Sequence, residues 1–262
     1  MEIFNSMIAN ALQIAERRVA NTLELLDGGA TIPFISRYRK EATGGMTDVE
    51  VAEVNRLMEQ LQELDKRRAY ILQTIEGQGK LTDELRKRIE ECTDAITLED
   101  IYLPFKQKRR TRAQVAREAG LEPLANILQA QKTANVAQAA QHYINKEKGI
   151  DTCQKAIQGA QDIIAERVSE NERARQSLRF TFGKHAIISS KLVKGKDIEG
   201  QNFRDYFDWS EPLSRCSSHR MLAMRRGEAE GVLRIGIGVD DAAAIERISR
   251  FFVHVTARYP DW

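Results

Sequence analysis

The stretch from Thr47 to Gly77 constrains this chain most, because it reads as one continuous helix. Thr47 and Glu50, three residues apart, form a capping box in which each side chain satisfies a backbone N–H at the helix start. Val51, Val54, Leu57, Met58, Leu61 and Leu64 recur at helical spacing, and Ile71, Leu72 and Ile75 carry the pattern on to Gly77. The charged run Asp65-Lys66-Arg67-Arg68 interrupts that face without lowering helix propensity. A helix of this length exceeds what one small core can cover. It must link two subregions or pack against several partners.

Helical signals dominate elsewhere too. Phe4, Ile8, Leu12, Val19, Leu23 and Leu26 share one face of an opening helix that Asp27-Gly28-Gly29 ends. Thr82 caps a helix through Ile89, and Thr97 caps a short one that Pro104 stops. Shorter pieces run about 111–119, 123–131 and 136–144. A second long helix is expected from Thr152 to Phe182, with Arg175 the one lapse on its inner face, and Lys184 to Val193 reads as a further helix. Ser214 to Gly227 is helical, and Asp240 caps a last helix to Phe252. Leu233, Ile235, Ile237 and Val239 alternate at period two, the one clear strand. A lone strand leaves backbone groups unpaired. Its partner is a poor strand within this chain or, as the preferred expectation, a strand beyond residue 262 or in a second copy. The expected fold class is mainly α: an elongated multi-helical array with long helices and at most a minor late β-strand near residues 231–239.

Lys and Arg number 40 against 38 acids, so the chain is no polycation. Any binding of nucleic acid must rest on where the charges lie. Cys92, Cys153 and Cys216 are scattered and lack CxxC spacing, which reads as reduced, cytosolic thiols. His142, His185, His219 and His254 show no metal-ligand spacing, and no phosphate loop occurs. Gly236-Ile237-Gly238 begins like a dinucleotide fingerprint, but Asp240 and Asp241 would repel a pyrophosphate. Ser218-His219-Arg220 are adjacent on a helix and lack an orienting acid, so Ser217 or Ser218 is read as a helix cap. No catalytic residue, metal or cofactor is expected. No apolar run approaches the ~20 residues that span a bilayer, so membrane is excluded as a partner.

Three stretches carry a family resemblance: Ile32 to Gly45, Thr97 to Arg112, and Phe203-Arg204-Asp205-Tyr206-Phe207 with Ser218-His219-Arg220 and Arg226 to Gly231. Together and in this order they resemble the N-terminal region of the bacterial Tex family of transcription accessory proteins. The resemblance implies a helical region preceding an RNase-H-like domain, helix-hairpin-helix modules and an OB-fold RNA-binding domain. It divides the chain into a helical region at 1–200 with helix-turn-helix-like elements, a helix–strand–helix segment at 201–252 leading toward the RNase-H-like domain, and a divergent tail at 253–262. That tail reads as a truncated reading frame or gene fragment.

The best local binding signal is Lys106, Lys108, Arg109, Arg110, Arg112 and Arg117, with no acid between them. Such a run can neutralise several phosphates and release their counterions. Phe105 beside it offers one ring for stacking. Gln114 to Arg117 fits a helix-turn-helix-like element. The alternative is a solvated loop paired with acids such as Glu99 and Asp100. Arg37, Arg39 and Lys40 beside Tyr38 form a smaller patch, for which packing around Gly44-Gly45 is the preferred reading over binding. The function expected from residues and resemblance together is a non-enzymatic helical platform in the cytoplasm. It contributes to RNA or DNA binding with C-terminal domains and the transcription machinery. The alternative is a protein-interaction scaffold without nucleic-acid contact, for which Phe203 to Trp209 is a docking candidate and burial of those rings the competing account.

Overall fold

The computed structural model describes residues 2–132 and 135–254. The chain divides into two units, Met1–Phe105 and Lys106–Trp262. In the first lie α1 (Glu2–Leu12), α2 (Glu16–Asp27), α3 (Ile32–Tyr38), α4 (Lys40–Thr43), α5 (Asp48–Gly77), α6 (Asp83–Glu91) and α7 (Ala95–Tyr102). The long helix is α5, and both bonds of the Thr47/Glu50 capping box form. Its length is answered by two cores. Val51, Val54 and Met58 pack with Ile8, Val19, Leu23, Ile35 and Met46. Leu64, Ile71 and Ile75 pack with Ile89, Leu98, Ile101 and Tyr102. Arg67 lies beside the second core, its guanidinium within 5.3 Å of the Tyr70 and Tyr102 ring centroids.

Two boundaries in this unit differ from expectation. The opening helix breaks at Gln13, which takes φ 57°. Periodicity does not register a short left-handed step, because α2 resumes the same apolar face with Val19 and Leu23. The α7 cap is Asp94, whose carboxylate accepts from Thr97 N at 2.7 Å. Thr97 sits one turn inside and donates its hydroxyl to the same carboxylate.

The second unit begins with α8 (Arg112–Glu118), α9 (Glu122–Gln129) and α10 (Val136–Gln141), which pack on α11 (Cys153–Glu170). Ala116, Leu121, Leu124, Ala156, Ala160 and Ile163 form their core. The helix expected from Thr152 to Phe182 is two. Asn171, at ψ 116°, ends α11 and caps α12 (Glu172–His185), its side chain accepting from Ala174 N at 3.0 Å. The lapse at Arg175 is thereby explained: it lies beyond the break and is not on the α11 face.

The expected lone strand has partners within the chain. The helix expected at Lys184 to Val193 gives way to β1 (Ile187–Leu192), followed by β2 (Asp208–Pro212), α13 (Ser218–Ala229), β3 (Leu233–Gly238) and α14 (Asp241–Phe252). The sheet order is β2-β1-β3, antiparallel throughout. Ser190 stands opposite Trp209 on one side and Ile235 on the other. Pairing across the chain overrides the helical reading of β1, as context routinely does for short segments. Phe203 is buried against Val232 and Leu233, while Tyr206 and Phe207 are half-buried beside it. That supports packing over docking for those three rings.

Helix α13 lies close to β3. A Cβ at Gly227 would stand 2.6 Å from Leu233 Cδ1 and 3.1 Å from Phe203 Cδ1. At the end of α14, Gln131 donates to Phe252 O at 2.5 Å and accepts from His254 N at 3.0 Å. The expected divergent tail lies, from residue 255 onward, outside the described residues. Among the described residues no helix is long and apolar enough to cross a membrane.

Two stability outcomes follow from these contacts. Gly227→Ala overpacks the helix–strand contact and lowers unfolding free energy by about 1–3 kcal/mol, read from urea midpoints at unchanged slope. Asn171→Ala removes a helix cap at a cost of about 1 kcal/mol by the same measurement.

Candidate nucleic-acid interface

The run from Lys106 to Arg117 comprises a loop, residues 106–111, that enters α8 at its cap Thr111, and the first six residues of α8. Thr111 Oγ1 accepts from Gln114 N at 3.0 Å, fixing the helix start. The same hydroxyl donates to Glu166 on α11 at 3.1 Å. Glu166 also accepts from Arg117 at 2.5 Å and lies 3.4 Å from the Lys108 ammonium. Lys108 pairs further with Glu170. Arg117 reaches Glu122 at 3.1 Å, and Glu122 in turn pairs with Arg167. One acid therefore ties loop, cap and helix together.

Glu166 has an 11% exposed side chain. Burial pushes its carboxyl up. Hydrogen bonds from Arg117 and Thr111, with the Lys108 and Arg117 charges, outweigh that and hold it below the usual carboxylate range.

This network sorts the six cations of the run. Lys108 and Arg117 are turned inward onto Glu166. Arg110 pairs with Glu118 at 3.1 Å, with 72% of its own side chain exposed, a geometry that holds weakly in water. Lys106, Arg109 and Arg112 are exposed and make no ion pair among the described residues. A cleft of about 390 Å³ beside them is lined by Arg110, Arg112, Val115, Lys155 and Asp162 among others. The acids that pair with the run are Glu118, Glu122, Glu166 and Glu170. Glu99 is held by Arg67 at 2.5 Å. Phe105 is half-buried against the Leu64–Tyr102 core, so its ring is not free for stacking. The Glu166 network was hidden in the sequence because its bonds span 49, 55 and 62 positions.

In the first unit, Arg37, Arg39 and Lys40 are all exposed, at the end of α3 and the start of α4. Tyr38 is 65% exposed and Phe34 is 40% exposed. Phe34 belongs with this patch, because its spacing of four from Tyr38 puts both rings on one helix face.

The catalytic candidates stay apart chemically. Ser217 occupies the N-cap position of α13 but makes no side-chain capping bond, so the expected cap is not formed by it. Its hydroxyl lies 3.5 Å from His219 Nε2. Arg220 pairs with Glu211 at 2.8 Å. Gly236 and Gly238 lie in β3, away from any phosphate-binding turn. Among the described residues no group of three His, Cys, Asp or Glu side chains is placed to hold a metal ion.

Comparison with known proteins places the chain. A family model described as Tex-like protein N-terminal domain matches residues 2–76. A second, described as Tex central region-like, matches residues 131–259. The protein tex of Bordetella pertussis is 45% identical over 235 residues, 90% of this chain and 30% of that protein. The transcriptional accessory protein Tex of Neisseria gonorrhoeae is 44% identical over 231 residues, 88% of this chain and 30% of that protein. The human S1 RNA-binding domain-containing protein 1 is 30% identical over 237 residues, 87% of this chain and 23% of that protein. The chain thus spans about a third or less of the length of the curated relatives it matches. It belongs to the Tex family, whose N-terminal and central regions it carries.

Proposed function

We propose that this chain is a non-catalytic helical platform of a transcription accessory protein, contributing to RNA or DNA binding in the cytoplasm. The observation that carries this reading is that Lys106, Arg109 and Arg112, on the loop and the α8 start held in place by Glu166, make no ion pair among the described residues. Arg110 adds a fourth charge held only by an exposed acid. Lys108 and Arg117 act as anchors of the loop. The chain's family and its likeness to a protein named for an S1 RNA-binding domain support nucleic acid as the partner. Further domains, which the longer relatives have room for, share that grip, and the transcription machinery is a second partner. The helix-turn-helix-like role of Gln114 to Arg117 on α8 belongs to this proposal, as does the smaller patch of Arg37, Arg39 and Lys40.

Contacts to phosphate make binding depend on salt, with a slope of about 0.7 per contact for single strands. Lys106→Ala, Arg109→Ala and Arg112→Ala together are expected to weaken single-strand binding and reduce the slope of log affinity against log salt by about 2. Lys108→Ala changes that slope much less, because Glu166 and Glu170 already neutralise its charge. Fluorescence anisotropy at several salt concentrations reads both. Unchanged affinity and slope in the triple variant would refute the loop's role. Capture of transcription proteins that survives nuclease treatment would then favour the scaffold reading.

A further inference from the structure

Helix α3 is short but firmly seated. Ile35 has no solvent exposure and Pro33 lies in its first turn. Its opposite face carries Phe34 and Tyr38, whose ring centroids are 5.4 Å apart with planes inclined at 43°. The Arg39 guanidinium stands 5.4 Å from the Phe34 centroid. Arg37 and Lys40 flank these rings and make no ion pair among the described residues. Glu41 is the acid of this run, which stays net positive. Alongside lies a cleft of about 860 Å³, lined in part by Asn21, Gly29, Thr31, Phe34 and Arg39. That volume falls within the roughly 300–1,000 Å³ of small-ligand clefts.

The rings are not needed to close the nearby core, which Ile35 completes from the other side of the helix. Exposed aromatic faces beside cations that make no ion pair among the described residues suit one class of partner. Unpaired bases stack on the rings and on the guanidinium plane, while lysine and arginine meet the phosphates between them. A duplex hides its base faces within its own stack, so it gains only the phosphate contacts.

We infer that Phe34, Tyr38 and Arg39 form a base-stacking platform for single-stranded nucleic acid, with Arg37 and Lys40 holding the adjoining phosphates. The inference rests on the nucleic-acid reading above and adds that this patch recognises bases, where the Lys106–Arg112 loop recognises charge.

The test compares a labelled oligothymidylate with an abasic phosphodiester strand of equal length and charge, using the full chain. Wild type is expected to prefer the base-bearing strand by roughly fivefold to a hundredfold, the range for one stacked base. Phe34→Leu with Tyr38→Leu abolishes that preference and leaves abasic binding unchanged. Tyr38→Phe, which keeps the ring, retains it. The single Tyr38→Leu change, at the more exposed position, lowers the preference and serves if circular dichroism shows the double variant unfolded. The triple loop variant lowers affinity for both strands and leaves their ratio intact, which separates failure of the loop from failure of the platform. Equal binding of the two strands by wild type would overturn the platform. So would a preference that survives loss of the rings. Absence of binding to either strand at low salt overturns both readings.

Discussion

One carboxylate organises the surface on which the functional reading turns. Glu166 sits near the end of α11, where the loop before α8 passes over it. Placing an acid there with little solvent around it is costly unless cations and donors surround it. Lys108, Arg117 and Thr111 meet that need, each from a different point on the loop or on α8. With two cations drawn inward, their neighbours Lys106, Arg109 and Arg112 make no ion pair among the described residues. The free charge of the loop is thus a by-product of satisfying a half-hidden acid.

Much of the helical framework was legible because helix starts follow local chemistry. Thr47, Thr82, Thr111, Thr152 and Asp240 each accept from a backbone N–H three residues on, as their positions before apolar runs imply. The break at Asn171 also follows local chemistry, yet a continuing apolar face masked it. The sheet was harder to see for a different reason. In β1 the inward positions are Ile188 and Ser190, and in β2 they are Trp209 and Glu211. Polar residues at inward positions erase the alternation that marks a half-buried strand. Only β3, with Leu233 and Ile235 facing inward, kept the signal.

The candidate site was legible as a run of charge and illegible as a geometry. The order of residues alone identified Lys106 to Arg117 as a basic run. It did not separate anchors from free groups, because the acids that decide lie on helices folded back from far along the chain. The smaller patch shows the converse. Its rings and cations all lie within Phe34 to Lys40, so the arrangement depends only on α3 and the start of α4 and was open to inspection. Ile35 and Thr43, within and just after this segment, are buried and seat it on the neighbouring core.

The shared helix α5 has a consequence for how this region can change over generations. Its first half faces one core and its second half another, with Leu61 to Leu64 at the crossover. An added or deleted residue at that crossover would turn one apolar face by about 100° against the other. Amino-acid replacements on the outer side of the crossover leave this angular relationship alone. The segment is therefore free to vary in identity and held constant in length, like a spacer whose pitch matters more than its material.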